Sequence, residues 1–121
     1  MPDDLTISLE GIELWSHCVV SAEERAVAQR LFVDVLLQPP ATQALVSDEL
    51  ADTIDYGAVA ALVNAAVERG EYKLIEHLAS VIADDLLAML AVAEVRVTVR
   101  KPLPPVGLPV AAARVEVVRR P

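Results

Sequence analysis

The apolar residues of this chain recur at every second position near its two ends and at every third or fourth position in its middle. That change of period restricts the fold more than any other feature. Near the start, Leu5, Ile7 and Leu9 alternate with Thr6, Ser8 and Glu10, the pattern of a strand with one buried face. After Gly11 the apolar parity moves to Ile12 and Leu14. A one-residue slip beside a glycine is what a β-bulge produces. Leu31, Val33, Val35 and Leu37 give a second strand, which Pro39 and Pro40 end. The stretches VVSAEERAVA and PPATQALVSDELADT, before and after that strand, read as loops.

From Tyr56 the period lengthens. Val59, Leu62, Val63, Ala66 and Val67 fall on one face of a helix. Asp55 is placed to cap its start and Gly70 to stop its end. A second helix is predicted from Leu74 to about Leu90, with Ile75, Leu78, Ala79 and Ile82 along one side. Strict alternation then returns in EVRVTVRK: Val95, Val97 and Val99 face inward, and Glu94, Arg96, Thr98 and Arg100 face out. A proline-rich loop, PLPPVGLP, leads to a last strand, ARVEVV. The order is β-β-α-α-β-β. Hairpins on either side of a helix pair give an α+β fold, an antiparallel sheet with two helices on one face, in a single domain spanning residues 1–121.

With 55% apolar residues but only 3% aromatics in 121, the core must be built from Val, Leu, Ile and Ala. A small chain with so much apolar surface is expected to bury part of it against copies of itself. The net charge of −8 argues against nucleic acid or an anionic membrane as partner. A single cysteine, Cys18, forms no internal disulfide. No apolar run reaches transmembrane length and the first residues do not read as a signal segment, so a cytoplasmic protein is expected. His17, Cys18 and His77 lack any metal-ligand spacing, and no metal site is expected. Neither a glycine-rich phosphate loop nor a GxSxG elbow occurs.

Four residues break their local rule. Lys101 continues the inward parity of Val95, Val97 and Val99; its plain reading is a snorkelling side chain. Glu24 lies in the first loop, between Glu23 and Arg25, where its plain reading is a solvated charge. Tyr56 opens the first helix in a chain with four aromatics, and packing alone would account for it. Glu76 sits beside an apolar stripe in the first turn of the second helix, where any carboxylate gains a few tenths of a kcal/mol from the helix dipole.

Taken together, EERAVAQRLFVDV, SDELADTIDYGAV, KLIEHLA and VTVRKPLPP resemble the dihydroneopterin aldolases over essentially the whole chain. Glu24, five residues before Gln29, matches the family's catalytic glutamate. Tyr56 matches its helix-opening tyrosine, Glu76 its pterin-anchoring glutamate, and Lys101-Pro102 its Lys-Pro. Val19 and Ala28 stand where many relatives carry glycine. The resemblance implies the tunnelling fold: sheets of several subunits join into a barrel, as a tetramer or an octamer, with active sites between subunits.

It also implies retro-aldol cleavage of 7,8-dihydroneopterin, with no cofactor, because the substrate's own C=N can take the electrons. Lys101 would be the general acid/base, its pKa lowered by an apolar strand end. Glu24 would orient a water and pair with the ammonium, and Tyr56 would stack on the pterin or relay a proton. Glu76 would accept the pterin's amino group and ring N–H in a fork, with Ile75, Thr53, Ile54 and Asp55 lining the pocket. Two readings stay open beside it. One is a dihydroneopterin triphosphate epimerase, for which Arg25, Arg30 and Arg100 are available. The other is a non-catalytic pterin-binding oligomer.

Overall fold

The computed structural model describes residues 4–18 and 28–121. Four strands, β1 (Ile7–Ser16), β2 (Gln29–Gln38), β3 (Glu94–Pro102) and β4 (Ala112–Arg119), form one sheet in the order β1-β2-β3-β4. Every neighbouring pair is antiparallel. Between β2 and β3 come a one-turn helix α1 (Ala44–Ser47), a 3-10 turn (Leu50–Asp52), and the two main helices α2 (Tyr56–Glu68) and α3 (Ile75–Met89). The α+β order read from the sequence holds. Both short helical pieces fall in a stretch read as a loop. They bury no residue, so they leave no periodic apolar signal to detect.

The β-bulge lies where the parity slips. The β1–β2 register steps from Leu9 opposite Val35 to Ile12 opposite Val33. Gly11 takes φ +67°, a left-handed conformation that costs other residues roughly 1–2 kcal/mol. Its N–H donates to the Asp34 carboxylate at 2.6 Å. The bulge keeps Leu9 and Leu14 on the same sheet face despite their odd spacing.

That face meets the helices. Leu31, Val33, Val35 and Leu37 of β2 and Val95, Val97 and Val99 of β3 are buried under Val59, Val63 and Ala66 of α2 and Leu78, Ala79, Ile82, Ala83 and Leu86 of α3. Alanines at 79 and 83 let α3 lie close to the strands. Arg119 of β4 ties α3 from the side, donating to the Ser80 hydroxyl at 3.1 Å and pairing with Asp84. The opposite sheet face is mostly polar, with Trp15, Phe32, Leu36 and Val118 among its charged and hydroxyl residues, and on it Thr98 is buried. It stands between Asp34 and Glu116 in the register, and those longer side chains cover it. Helix α2 begins at the expected cap, with Gly57 N–H donating to Asp55 Oδ1 at 2.9 Å. It ends at Glu68, two residues before Gly70. Among the described residues, no helix is long and apolar enough to cross a membrane.

Candidate active site

The strand directions sort the predicted site residues into two groups. β2 begins and β3 ends at one end of the sheet, because Phe32 pairs with Arg100 there and Gln38 with Glu94 at the other end. Lys101 is therefore at the first end. It is half-buried, and its Nζ donates to the Cys18 carbonyl at 3.5 Å. A cleft of about 500 Å³ opens beside it, lined by Trp15, Gln29, Arg30, Lys101 and Leu103 among others.

Helix α2 runs back towards this end and the chain turns through Tyr72 into α3. Tyr72 N–H donates to the His17 carbonyl at 3.3 Å, and Tyr72 forms a parallel bridge with Cys18. The buried Tyr72 hydroxyl donates to the Ala66 carbonyl at 2.7 Å. The start of α3 is thus laced to the end of β1. Ile75 packs against the core, and Glu76, one residue on, is exposed in the first turn. Leu74 precedes this helix without a side-chain hydrogen bond, and the Glu76 carboxylate complements the positive end of the helix dipole.

The buried Cys18 thiol senses both charges. Burial pushes the thiol up to about 11, the Lys101 ammonium draws it back down, and the Glu76 carboxylate pushes it up again. Lys101 and the turn that leads into α3 are both tied to the end of β1, one through the Cys18 carbonyl and the other through the Cys18–Tyr72 bridge. The ammonium can act on protons, and the carboxylate can accept a pair of N–H donors. Lys101 and the first turn of α3, which carries Glu76, therefore lie at the same end of the sheet.

Thr53, Ile54, Asp55 and Tyr56 do not join them. Thr53 and Ile54 line a recess of about 220 Å³ with Pro39, Pro40 and Ala91, where β2 ends and β3 begins. Ile54 is buried, Tyr56 is 63% exposed, and the Asp55 carboxylate is occupied in capping α2. Lys101 lies seven residues along β3 from Glu94, which at ~3.3 Å per residue separates the two groups by roughly 23 Å. Glu24, Arg25 and Val19 lie outside the described residues.

Three further observations bear on the site. Trp15, 63% exposed on the edge strand β1 and lining the Lys101 cleft, was not singled out from the sequence. Its signal was a lone indole at an outward-facing parity position. Arg100 lies over the Phe32 ring at 4.8 Å on the polar sheet face, away from Lys101. Arg30 lines the cleft but also stacks on Phe32 at 5.4 Å and lies 3.7 Å from Glu13.

Comparisons with known proteins bear on the family and the fold. The dihydroneopterin aldolase family model matches residues 7–118. A dihydroneopterin aldolase from Streptomyces coelicolor is 36% identical over 113 residues, covering 93% of this chain and 95% of that protein. The crystal structure of Escherichia coli dihydroneopterin aldolase in complex with neopterin superposes with a TM-score of 0.86 at 27% identity, covering 95% of this chain and 98% of that one. The dihydroneopterin aldolase from Burkholderia thailendensis bound to guanine gives 0.78 at 33% identity, with coverages of 98% and 93%.

Proposed function

The chain belongs to the dihydroneopterin aldolase family, and from that premise we propose that its active site is divided between two subunits of a homo-oligomer. The activity is the aldolase reaction of folate biosynthesis: 7,8-dihydroneopterin is cleaved to 6-hydroxymethyl-7,8-dihydropterin and glycolaldehyde.

The observation that carries the proposal is the separation of the predicted residues. Lys101 and the turn from Tyr72 into the first turn of α3, which carries Glu76, are both tied to Cys18 at one end of the sheet, while Thr53, Ile54 and Tyr56 are at the other. A single pterin cannot span roughly 23 Å, seven residues of β3. The exposed edges at β1 and β4 and the exposed Trp15, Val46, Leu50 and Tyr56 support association. Joining edge to edge would remove unpaired strand groups and bring one chain's Tyr56 end to the next chain's Lys101 end. A tetrameric or octameric barrel would close in this way.

In such a site Glu76 accepts the pterin's amino and ring N–H groups. Lys101, working through a water, takes the proton from the side-chain hydroxyl next to the bond that breaks and supplies one to N5. The electrons of the carbon–carbon bond form an exocyclic double bond to C6 as the C6=N5 pair moves onto N5, releasing glycolaldehyde and leaving an enamine. Protonation of its exocyclic carbon, with loss of the N5 proton, gives the hydroxymethyl product. The substrate's C=N serves as the electron sink, so the lysine acts as acid and base rather than as an amine nucleophile. Tyr56 of a neighbour covers the ring or passes the final proton. Glu24, by family resemblance, orients the water.

Lys101→Ala tests these roles. It should lower kcat at least ~10²-fold, the usual cost of removing a positioned acid/base, and leave pterin binding nearly unchanged. Borohydride should trap no adduct on the wild-type protein. Wild-type turnover in the variant, or a trapped adduct at Lys101, would overturn the mechanism.

A further inference from the structure

Leu103 is the first residue past β3, two along the chain from Lys101. It takes φ +48°, in the region of backbone space where a side chain is strained. It also precedes Pro104, which favours an extended conformation at this position. The closing of the β3–β4 hairpin imposes the turn: Pro102 pairs with Ala112, and the Leu103 N–H donates to the Ala111 carbonyl at 3.0 Å. Glycine or asparagine would make the same turn with less strain. Packing within the chain does not offset that strain, because Leu103 is 77% exposed. What the leucine does is line the Lys101 cleft, together with Trp15, Pro102 and Pro105. Two large, mostly exposed apolar side chains thus bound a cleft that holds a lysine, the make-up of a small-molecule site. Strained backbone of this kind clusters where ligands are held.

The cleft also has a direction. Among the described residues, none that lines it comes from α3, the helix whose first turn carries Glu76. With the pterin ring held at Glu76 and the breaking bond at Lys101, the part of the substrate beyond that bond extends away from α3 into the cleft. We propose that Leu103 is a substrate-binding residue whose side chain walls the cleft around the two-carbon fragment that leaves as glycolaldehyde. This rests on the roles given to Lys101 and Glu76 above. The leucine covers the carbon atoms of the fragment and removes water from them, which glycine or asparagine at the same turn would not do.

The test is calorimetric titration of the wild-type oligomer, Leu103→Gly, Leu103→Asn and Leu103→Met with two pterins. Neopterin carries the fragment and 6-hydroxymethylpterin lacks it. Leu103→Gly and Leu103→Asn should bind neopterin about fourfold more weakly, the scale of burying one methylene group, and 6-hydroxymethylpterin within about 1.5-fold of the wild type. Leu103→Met keeps an apolar side chain of similar size and should hold neopterin within about twofold. The glycine and asparagine variants should melt at or above the wild-type temperature, with the mass of the oligomer unchanged. Unaltered neopterin affinity in both overturns the inference, and so does an equal loss for the two pterins. Lower melting temperatures would show that the leucine serves the hairpin instead, and dissociation would make it an interface residue; either result overturns the inference. A wild-type protein that binds neither pterin overturns the reading of the site itself, which separates the two failures.

Discussion

Replacing Glu76 by glutamine removes a charge and little else, and two quantities respond by very different amounts if the residue is a pterin anchor. The first is stability. Glu76 is exposed in the first turn of α3, so its contribution to folding is limited to the interaction with the helix N-terminus, about 0.3–1 kcal/mol. A chain of 121 residues melts with an entropy near 250 cal/mol/K, so 1 kcal/mol moves Tm by roughly 4 °C. At fixed protein concentration the variant should therefore melt no more than about 4 °C below the wild type. The second quantity is affinity. The carboxylate offers two acceptors to two adjacent pterin donors, whereas the amide offers one acceptor and turns an N–H towards the other donor. Breaking such a charged pair in a desolvated site costs about 2–5 kcal/mol, which is about 30-fold to about 4,000-fold in Kd. The loss should be the same for substrate and product, which share the ring edge. Calorimetric titration with 6-hydroxymethylpterin reads it directly. Near-wild-type affinity would reduce Glu76 to a partner of the helix dipole, and a large fall in Tm would show that it carries structure instead.

Tyr72→Phe should lose the buried bond to the Ala66 carbonyl and leave that oxygen unpaired, at a cost of about 1–3 kcal/mol. By the same conversion a fall of roughly 4–12 °C in Tm is expected; an unchanged melting curve would show that this bond does not brace the turn into α3. The Cys18 thiol is raised from 9.0 to about 11 by burial, so between those values the folded chain keeps a proton that the unfolded chain loses. Stability should therefore be flat below pH 9 and decline as pH rises towards 11. Chemical denaturation across that range should show part of the decline disappearing in Cys18→Ala. A Cys18→Ala curve that falls like the wild type would contradict this.

The alternation of Val95, Val97 and Val99 and the slip at Gly11 were readable because strand parity and bulge geometry act within a few residues. The 3.6 period placed α2 and α3 to within two residues for the same reason. What escaped depended on neighbours distant in sequence. Thr98 is buried because Asp34 and Glu116 happen to flank it, and the short helix at Ala44–Ser47 has no buried face to leave a pattern. Within the site, Lys101 and Glu76 stood out as charges on or beside apolar stripes. The roughly 23 Å between the Lys101 and Tyr56 ends follows only from strand direction and register. Resemblance alone supplied the role of Glu24.

The division of the site between subunits is tested most directly by mixing two inactive variants, Lys101→Ala and Tyr56→Ala. Each alone spoils every site. In oligomers refolded from an equal mixture, some interfaces join the intact Lys101 end of one chain to the intact Tyr56 end of the next. Random assembly into a head-to-tail ring gives such a site at about one interface in four, so turnover should return to about a quarter of the wild-type value. If Lys101 and Tyr56 served the same site from within one chain, every site in the mixture would lack one of them, and activity would stay at the level of the separate variants.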